Sequence, residues 1–402
     1  MSEQIAGRPW YVPMRARRPD EHHRVSTPLE LLFDLCFVVA VAQAAAGLDH
    51  AIVEDHAGTG VLQYVMVFFA IWWAWMNFTW FASAYDTDDV PYRLTVLVQI
   101  AGSLVLAAGI PRAFAGDDYL VIVIGYVIMR LAMVTQWLRA AAADPPRRRT
   151  AIRYAVGVSV VQLFWLMLLF VPKEVYFVGF FIAVIAELAV PVIAERATMT
   201  TPHPHHIAER YGLFTVIVLG ESVTAATLAF QSALDEKKDG GSLIGLAVAG
   251  IITLFCLWWI YFDHESNPRL DTARSSFIWG YGHYFVFAAA AAVGTGLVVA
   301  VAFQQGLTEG IGYVGASMAT TVPVAVYLVA VGALHAHPGR PRIIPWSIGI
   351  AAVLVLAGSF IPAPLFVTAG VLCVLVAVVA VPNRTRTQTT RSARPAGFEP
   401  AT

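Results

Sequence analysis

The sequence predicts an all-α fold: a polytopic integral membrane helix bundle of about 12 transmembrane helices, arranged as two six-helix halves. Three observations carry this. The 402-residue chain is 58% hydrophobic and 13% charged, where a soluble domain is about 25% charged; its mean hydropathy is +0.66. Its apolar residues fall in continuous runs of about 20, the length a helix needs to cross the hydrocarbon core. The runs lack the alternation of membrane-barrel strands. Finally, the basic residues sort to one side of the resulting map.

The spans run in order. The first, near 29–48, opens at Thr27-Pro28 and carries Glu30 and Asp34. The second, 61–84, holds Trp72-Trp73-Ala-Trp75. The third, 93–111, follows the acidic turn Asp86-Thr-Asp88-Asp89-Val-Pro91. The fourth, 118–139, encloses Arg130, the fifth is 151–171, and the sixth, 175–194, encloses Glu187. The seventh, 207–230, follows His203-Pro-His205-His206 and carries Glu209, Arg210 and Glu221. The eighth, 241–263, holds Trp258-Trp259-Ile-Tyr261, and the ninth, 275–302, holds Gly280-Tyr-Gly282-His283. The tenth is 312–335. The last two, 343–361 and 364–382, are bland and interrupted by proline, which leaves ten or eleven spans as alternatives.

On this map one side receives the N-terminal arginines (Arg8, Arg15, Arg17, Arg18, Arg24), Arg93, the stretch Arg139 to Arg153, Arg196, Arg210, Arg269, Arg274, Arg340, Arg342 and the C-terminal arginines. The other side holds Arg112, Lys173, Lys237 and Lys238. By the positive-inside rule both termini are cytoplasmic and the chain is a multi-pass protein of the cell (cytoplasmic) membrane. The expected organisation is a cytoplasmic N-terminal segment 1–28, a first transmembrane half 29–200, a second 201–382, and a disordered, Thr/Arg/Pro-rich cytoplasmic tail 383–402. Residues 1–28 have no apolar signal core, so the first helix is expected to act as an uncleaved anchor.

An internal repeat is suggested by two correspondences. Glu30 and Glu209 each begin an apolar helix from the same side. Trp72-Trp73-Ala-Trp75 in span two answers Trp258-Trp259-Ile-Tyr261 in span eight, and acidic clusters follow both: Asp86, Asp88 and Asp89, then Asp263, Glu265 and Asp271. Six helices per half would give both halves the same orientation. The alternative is chance recurrence of interfacial aromatics.

The net charge of −1 gives no reason to expect nucleic acid. Cys36, Cys256 and Cys373 sit in apolar runs, so neither a disulfide framework nor a zinc site is indicated. No nucleophile elbow, phosphate loop, HExxH or haem motif occurs. Hence no enzyme activity, cofactor or metal is expected. The partners expected are the lipid bilayer and a small solute or ion, with room left for a homo-oligomer.

The charged residues inside apolar spans are the functional lead, because a charge at bilayer depth costs roughly 2.5–3.5 kcal/mol on insertion scales. Asp34 lies one turn beyond Glu30 on the same helix face. The pair reads as carboxylates at the inner mouth of a pathway, or as acidic complements to a helix N-terminus. Glu221 lies roughly 18 Å past Glu209 along the helix, near mid-membrane; it reads as a proton or cation ligand, or as one half of an ion pair with Arg130. Glu187 is the other candidate partner for Arg130, in a structural intramembrane ion pair. Asp86, Asp88 and Asp89 would form an acidic cytoplasmic mouth, or grip arginines of neighbouring loops. His283 could relay protons or be a satisfied core histidine. The Trp-rich stretches read as packing and interfacial anchors. The proton or cation pathway is therefore assigned to Asp34, Glu221, Glu30, Glu209 and His283.

Three motifs in this order resemble those of the bacterial low-temperature-requirement protein A (LtrA) family: Thr27-Pro-Leu-Glu-Leu-Leu-Phe-Asp34-Leu-Cys-Phe-Val, Tyr85-Asp-Thr-Asp-Asp-Val-Pro-Tyr-Arg93 and Glu209-Arg-Tyr-Gly-Leu-Phe-Thr-Val-Ile-Val-Leu-Gly-Glu221. The resemblance covers at least residues 25 to 380 and implies a multi-spanning membrane protein; it leaves the mechanism open. Phe33-Asp34 is also similar to part of the Phe-Ser-Asp motif of a six-helix-repeat family of potassium channels, although no Ser precedes Asp34. The expected function is a proton- or cation-coupled transporter using intramembrane carboxylates. The alternatives are a cation channel lined by the first helix of each half, and a membrane sensor or scaffold with structural ion pairs.

Overall fold

A computed structural model describes residues 10–17, 25–116, 118–235, 240–263, 272–308, 310–335 and 343–392. Outside the described residues lie Arg8, Arg18, Arg24, Lys237, Lys238, Glu265, Arg269, Asp271, Arg340, Arg342 and the 393–402 part of the expected tail.

The described chain is all-helical: α1 Pro28–Val53, α2 Ala57–Tyr85, α3 Val90–Gly116, α4 Leu120–Ala143, α5 Arg148–Leu168, α6 Lys173–Ala194, α7 Pro204–Asp235, α8 Gly240–Phe262, α9 Ala273–Gln305, α10 Tyr313–Leu334, α11 Ile343–Ala357 and α12 Pro364–Ser392. Eleven of these segments are long and apolar enough to cross a membrane, and the apolar stretch of α12, Pro364–Ala380, is shorter. Large apolar side chains such as Leu131, Leu163 and Ile185 face outward, while Asp34, Arg130 and Arg210 are buried. That is the arrangement lipid imposes, because only groups turned inward find polar partners. The protein is a polytopic membrane protein.

Local chemistry sets the helix starts. Thr27 caps α1: its Oγ1 accepts from the Glu30 N–H at 3.2 Å, and Glu30 Oε2 accepts from the Thr27 N–H at 2.8 Å. With Pro28 in the first turn this is a complete capping box. Asp89 opens α3, its Oδ1 accepting from the Tyr92 N–H at 2.9 Å.

The chain divides into two compact units. Unit 1 comprises Met1–Glu221 with Asn267–Ala291, and unit 2 comprises Ser222–Ser266 with Ala292–Thr402. Helices α7 and α9 thus contribute residues to both.

In unit 1, α1 packs on α2 and α3, α3 on α4, α4 on α5, and α5 on α6. Helix α2 supplies much of the core, with Phe68, Trp72, Trp73, Trp75 and Phe78 all buried. The α3–α4 contact is backbone to backbone. A Cβ on Gly125 would stand 2.4 Å from the Leu106 nitrogen and 2.6 Å from the Gly102 oxygen, so only glycine fits there.

In unit 2, α8 and α11 pack on α12, and α10 on α11. Tyr327 donates its hydroxyl to the Leu257 carbonyl at 3.2 Å, and the hydroxyls of Thr321 and Ser359 are 2.6 Å apart. The Sγ atoms of Cys256 (α8) and Cys373 (α12) are 3.9 Å apart. Trp258 and Trp259 are each 45% exposed, whereas Trp72 and Trp73 are 2% and 0% exposed. The two aromatic clusters that the sequence aligns therefore stand in different environments.

Candidate functional site

Two ionic clusters occupy the interior of unit 1, and α2 serves both. Trp73 and Trp75 are two residues apart, roughly 200° around a helix, so they point to opposite sides. The Trp75 Nε1–H donates to Asp34 Oδ1 at 2.7 Å, and the Trp73 Nε1–H donates to Glu187 Oε2 at 2.8 Å. Both tryptophans are buried, in keeping with the packing role expected of span two and not with interfacial anchoring, and both also act as hydrogen-bond donors. A buried indole N–H needs an acceptor, and here each takes a carboxylate.

The first cluster joins α1 to α7. Arg210 forks onto Asp34, with Nε donating to Oδ2 at 3.0 Å and Nη2 to Oδ1 at 2.5 Å. Its Nη1 stands 3.3 Å from Glu30 Oε1, and His206 Nε2 stands 3.1 Å from the same oxygen. All four side chains are at most 1% exposed. Glu30 therefore divides its work: Oε2 caps its own helix and Oε1 faces α7. Beside the cluster, Glu209 Oε1 accepts from the Ser26 N–H at 3.2 Å. Bidentate guanidinium–carboxylate pairing is strong and fixes orientation as well as distance.

Arg210 and His206 were the residues that sequence reasoning missed. Arg210 reads as one more loop arginine next to Glu209, and the histidine run reads as a loop. A signal existed: Glu30 and Asp34 are spaced i,i+4, and so are His206 and Arg210. Two i,i+4 pairs of opposite sign on apolar helices present matching faces.

The second cluster gathers around Glu187. Arg130 Nη2 donates to Glu187 Oε1 at 3.2 Å, which also accepts from the Tyr126 hydroxyl at 3.0 Å and the Trp165 Nε1–H at 3.1 Å. Arg130 also bonds the Tyr126 hydroxyl and lies over its ring, 4.5 Å from the centroid. Arg130 thus takes Glu187, on α6, and not Glu221.

Glu221 is only partly buried, at the last position of unit 1, and its carboxyl has no hydrogen-bond or ion-pair partner among the described residues. His283 is buried among the rings of Tyr211, Trp279 and Phe287, its Nδ1 2.8 Å from the Trp279 carbonyl oxygen. It is held within that aromatic group.

Each acid of the α2–α3 turn holds an arginine. Asp86 Oδ2 lies 3.9 Å from Arg17 Nη1, Asp88 receives Arg93 bidentately at 2.7 and 2.8 Å, and Asp89 Oδ2 accepts from Arg139 at 2.7 Å. Of the two expectations for this turn, the geometry is that of the grip. The segment 10–17 lies across it. The Val12 N–H donates to Asp89 Oδ2 at 2.9 Å, the Arg17 N–H donates to the Ala84 carbonyl at 2.9 Å, and Met14 is buried. Burial pushes the Asp89 carboxyl up, but the N–H groups of Val12 and Tyr92 and the Arg139 guanidinium outweigh it and hold it below the ordinary carboxylate range.

At the opposite end of α1 a groove of about 790 Å³ is lined by α1, α2 and α3, with Gln43, His50, Glu54, His56 and Gln63 as its polar groups. Among the described residues no group of three or more His, Cys, Asp or Glu side chains is placed to hold a metal ion.

Comparison with known proteins agrees with this architecture. Uncharacterized protein RA0937 of Rhizobium meliloti (strain 1021) is 26% identical over 272 residues, which cover 63% of this chain and 64% of the relative. The match thus spans just under two thirds of that relative's length. The family model described as "Bacterial low temperature requirement A protein (LtrA)" matches residues 25–381, a range that contains α1 to α11, both ionic clusters and the α2–α3 turn. The chain belongs to the bacterial low temperature requirement A protein (LtrA) family.

Proposed function

We propose that the protein is a proton- or cation-coupled membrane transporter in which the Glu30–Asp34–His206–Arg210 cluster is the coupling element. One observation carries this: the cluster sets two buried carboxylates against one permanent cation and one histidine. Charge balance requires one more proton, on His206 or on a carboxyl. A net charge at this burial is costly, so losing that proton favours either entry of a cation or separation of α1 from α7. Proton occupancy is thereby tied to helix position, which is what coupled transport needs.

The groove at the far end of α1 supplies a polar approach along the same helix. Glu221, unpartnered among the described residues, is the second relay group. In this reading the membrane is the cytoplasmic membrane, the α1 N-terminus faces the cytoplasm, and the solute is a small ion or molecule. The chemistry is translocation rather than catalysis.

The test is proteoliposomes with a trapped pH dye, challenged with sodium and potassium gradients. Wild-type protein is expected to couple a cation gradient to internal pH change. Asp34→Asn and Glu221→Gln are expected to abolish that flux while remaining folded. Wild-type flux in both variants would overturn the assignment.

A second reading, a scaffold or sensor with structural ion pairs, has one observation behind it: the Arg130–Glu187 network, in which the Glu187 carboxylate takes four donors. It predicts that wild-type vesicles show no flux under either cation gradient.

A further inference from the structure

Unit 1 contains a separate cavity of about 50 Å³, set between α2, α4, α5, the first part of α9 and the 195–202 connection. Its walls include Trp80, Trp137, Tyr154, Phe277 and Tyr281; Glu195 is its one charged lining group, beside Asn77, Thr200 and Ser276. None of the four residues of the coupling cluster lines it. The Trp137 and Tyr154 rings are stacked parallel, with centroids 4.1 Å apart and planes 3° apart.

Glu195 is partly buried and oriented entirely by neutral donors. Its Oε1 accepts from the Tyr154 hydroxyl and the Thr200 hydroxyl, both at 2.8 Å, and its Oε2 accepts from the Thr200 N–H at 2.7 Å. No cationic side chain reaches it within ion-pair distance among the described residues. The cation whose field reaches it is Arg147, and that guanidinium is paired with Asp144 at 3.4 Å. Burial pushes the Glu195 carboxyl above the ordinary range in spite of its three donors, as expected of a negative charge short of a partner.

We propose that this cavity is a binding site for a small quaternary ammonium group, held by the aromatic faces and by the Glu195 carboxylate. Aromatic walls attract a cation through their ring quadrupoles without asking it for hydrogen bonds, and alkylated ammonium has none to give. A primary amine or a guanidinium would have only Asn77, Glu195, Thr200 and Ser276 to replace its hydration, whereas an alkylated ammonium needs no acceptor. The same head occurs on free solutes and on choline lipids, and the cavity lies at the end of the spans, where either could enter. The site is independent of the transport reading, so Asp34→Asn is expected to leave it intact.

The experiment is tryptophan fluorescence titration of the full chain in phosphatidylglycerol nanodiscs with choline and with its uncharged isostere 3,3-dimethyl-1-butanol. Choline is expected to bind saturably, and the isostere at least about tenfold more weakly, as loss of the cation–aromatic and ionic terms requires. Glu195→Gln and Trp137→Leu are each expected to weaken choline by a similar factor; if the first does not fold, the second decides. Repeating the titration in phosphatidylcholine nanodiscs separates the sources: choline binding lost there assigns the site to the lipid headgroup, and binding retained assigns it to a free solute. No saturable choline binding, equal binding of the isostere, or unchanged affinity in a folded variant would each overturn the proposal.

Discussion

Removing Arg210 is the sharpest perturbation of this protein. In Arg210→Met the flexible apolar side chain fills the space, but Asp34 and Glu30 lose their shared guanidinium. Three contacts go at once: 3.0 and 2.5 Å to Asp34, and 3.3 Å to Glu30. Asp34 keeps the Trp75 indole and Glu30 keeps His206, so the sites are not empty of donors. The carboxylates are nevertheless at most 1% exposed and cannot recover hydration. Breaking a buried pair by removing one partner costs about 3–5 kcal/mol, and that is the expected loss. Asp34→Asn removes the charge but leaves an acceptor for Trp75, so it should cost less, about 1–3 kcal/mol. The double variant should cost less than the sum, with a coupling of about 1–3 kcal/mol, because neutralising Asp34 removes part of what Arg210 was balancing. The assay is reversible unfolding in mixed micelles with increasing denaturing detergent, followed by tryptophan fluorescence. An Arg210→Met protein within about 0.5 kcal/mol of wild type, the range of a surface substitution, would refute the buried network.

Three further outcomes follow from the packing and the charges. Gly125→Val should lower the midpoint of detergent unfolding by about 1–3 kcal/mol or more, since its Cβ would meet the Leu106 and Gly102 backbone, whereas Gly58→Ala, with open space around it, should leave it unchanged. Asp89 contributes stability above its ordinary titration range and loses it as pH falls through its depressed value; acidification below about pH 4 should therefore loosen segment 10–17, read as faster proteolysis near Val12, and Asp89→Asn should loosen it already at neutral pH. Mild oxidation should join Cys256 to Cys373 within one chain, read by mass spectrometry, and leave Cys36 unpaired, since only the first two thiols are in contact.

The number and placement of the helices were legible because lipid is a simple solvent. It demands about 20 apolar residues per span and a satisfied backbone, and both demands are written along the chain. Thr27 and Glu30 announced the start of α1 because a capping box is local in sequence. The pairing of Arg130 with Glu187 was within reach, since few charges lie inside spans and a fully buried one must find another. The partner of Asp34 was not chosen in advance. Arg210 sits beside Glu209 at the head of its helix, and nothing local distinguishes an arginine that faces water from one that turns inward.

By itself, then, the sequence determined that this is a multi-spanning helical membrane protein, where its spans fall, and that carboxylates lie where lipid opposes them. Only the tertiary structure decided what those carboxylates touch. It gave Asp34 and Glu30 to Arg210 and His206, set Trp73 and Trp75 on opposite carboxylates, and left Glu221 without a partner among the described residues. The reason is physical. Hydrophobic runs and caps act between near neighbours in the chain, whereas an ion pair between residues 34 and 210 depends on which helix faces pack together, and packing is settled only when all the faces are present.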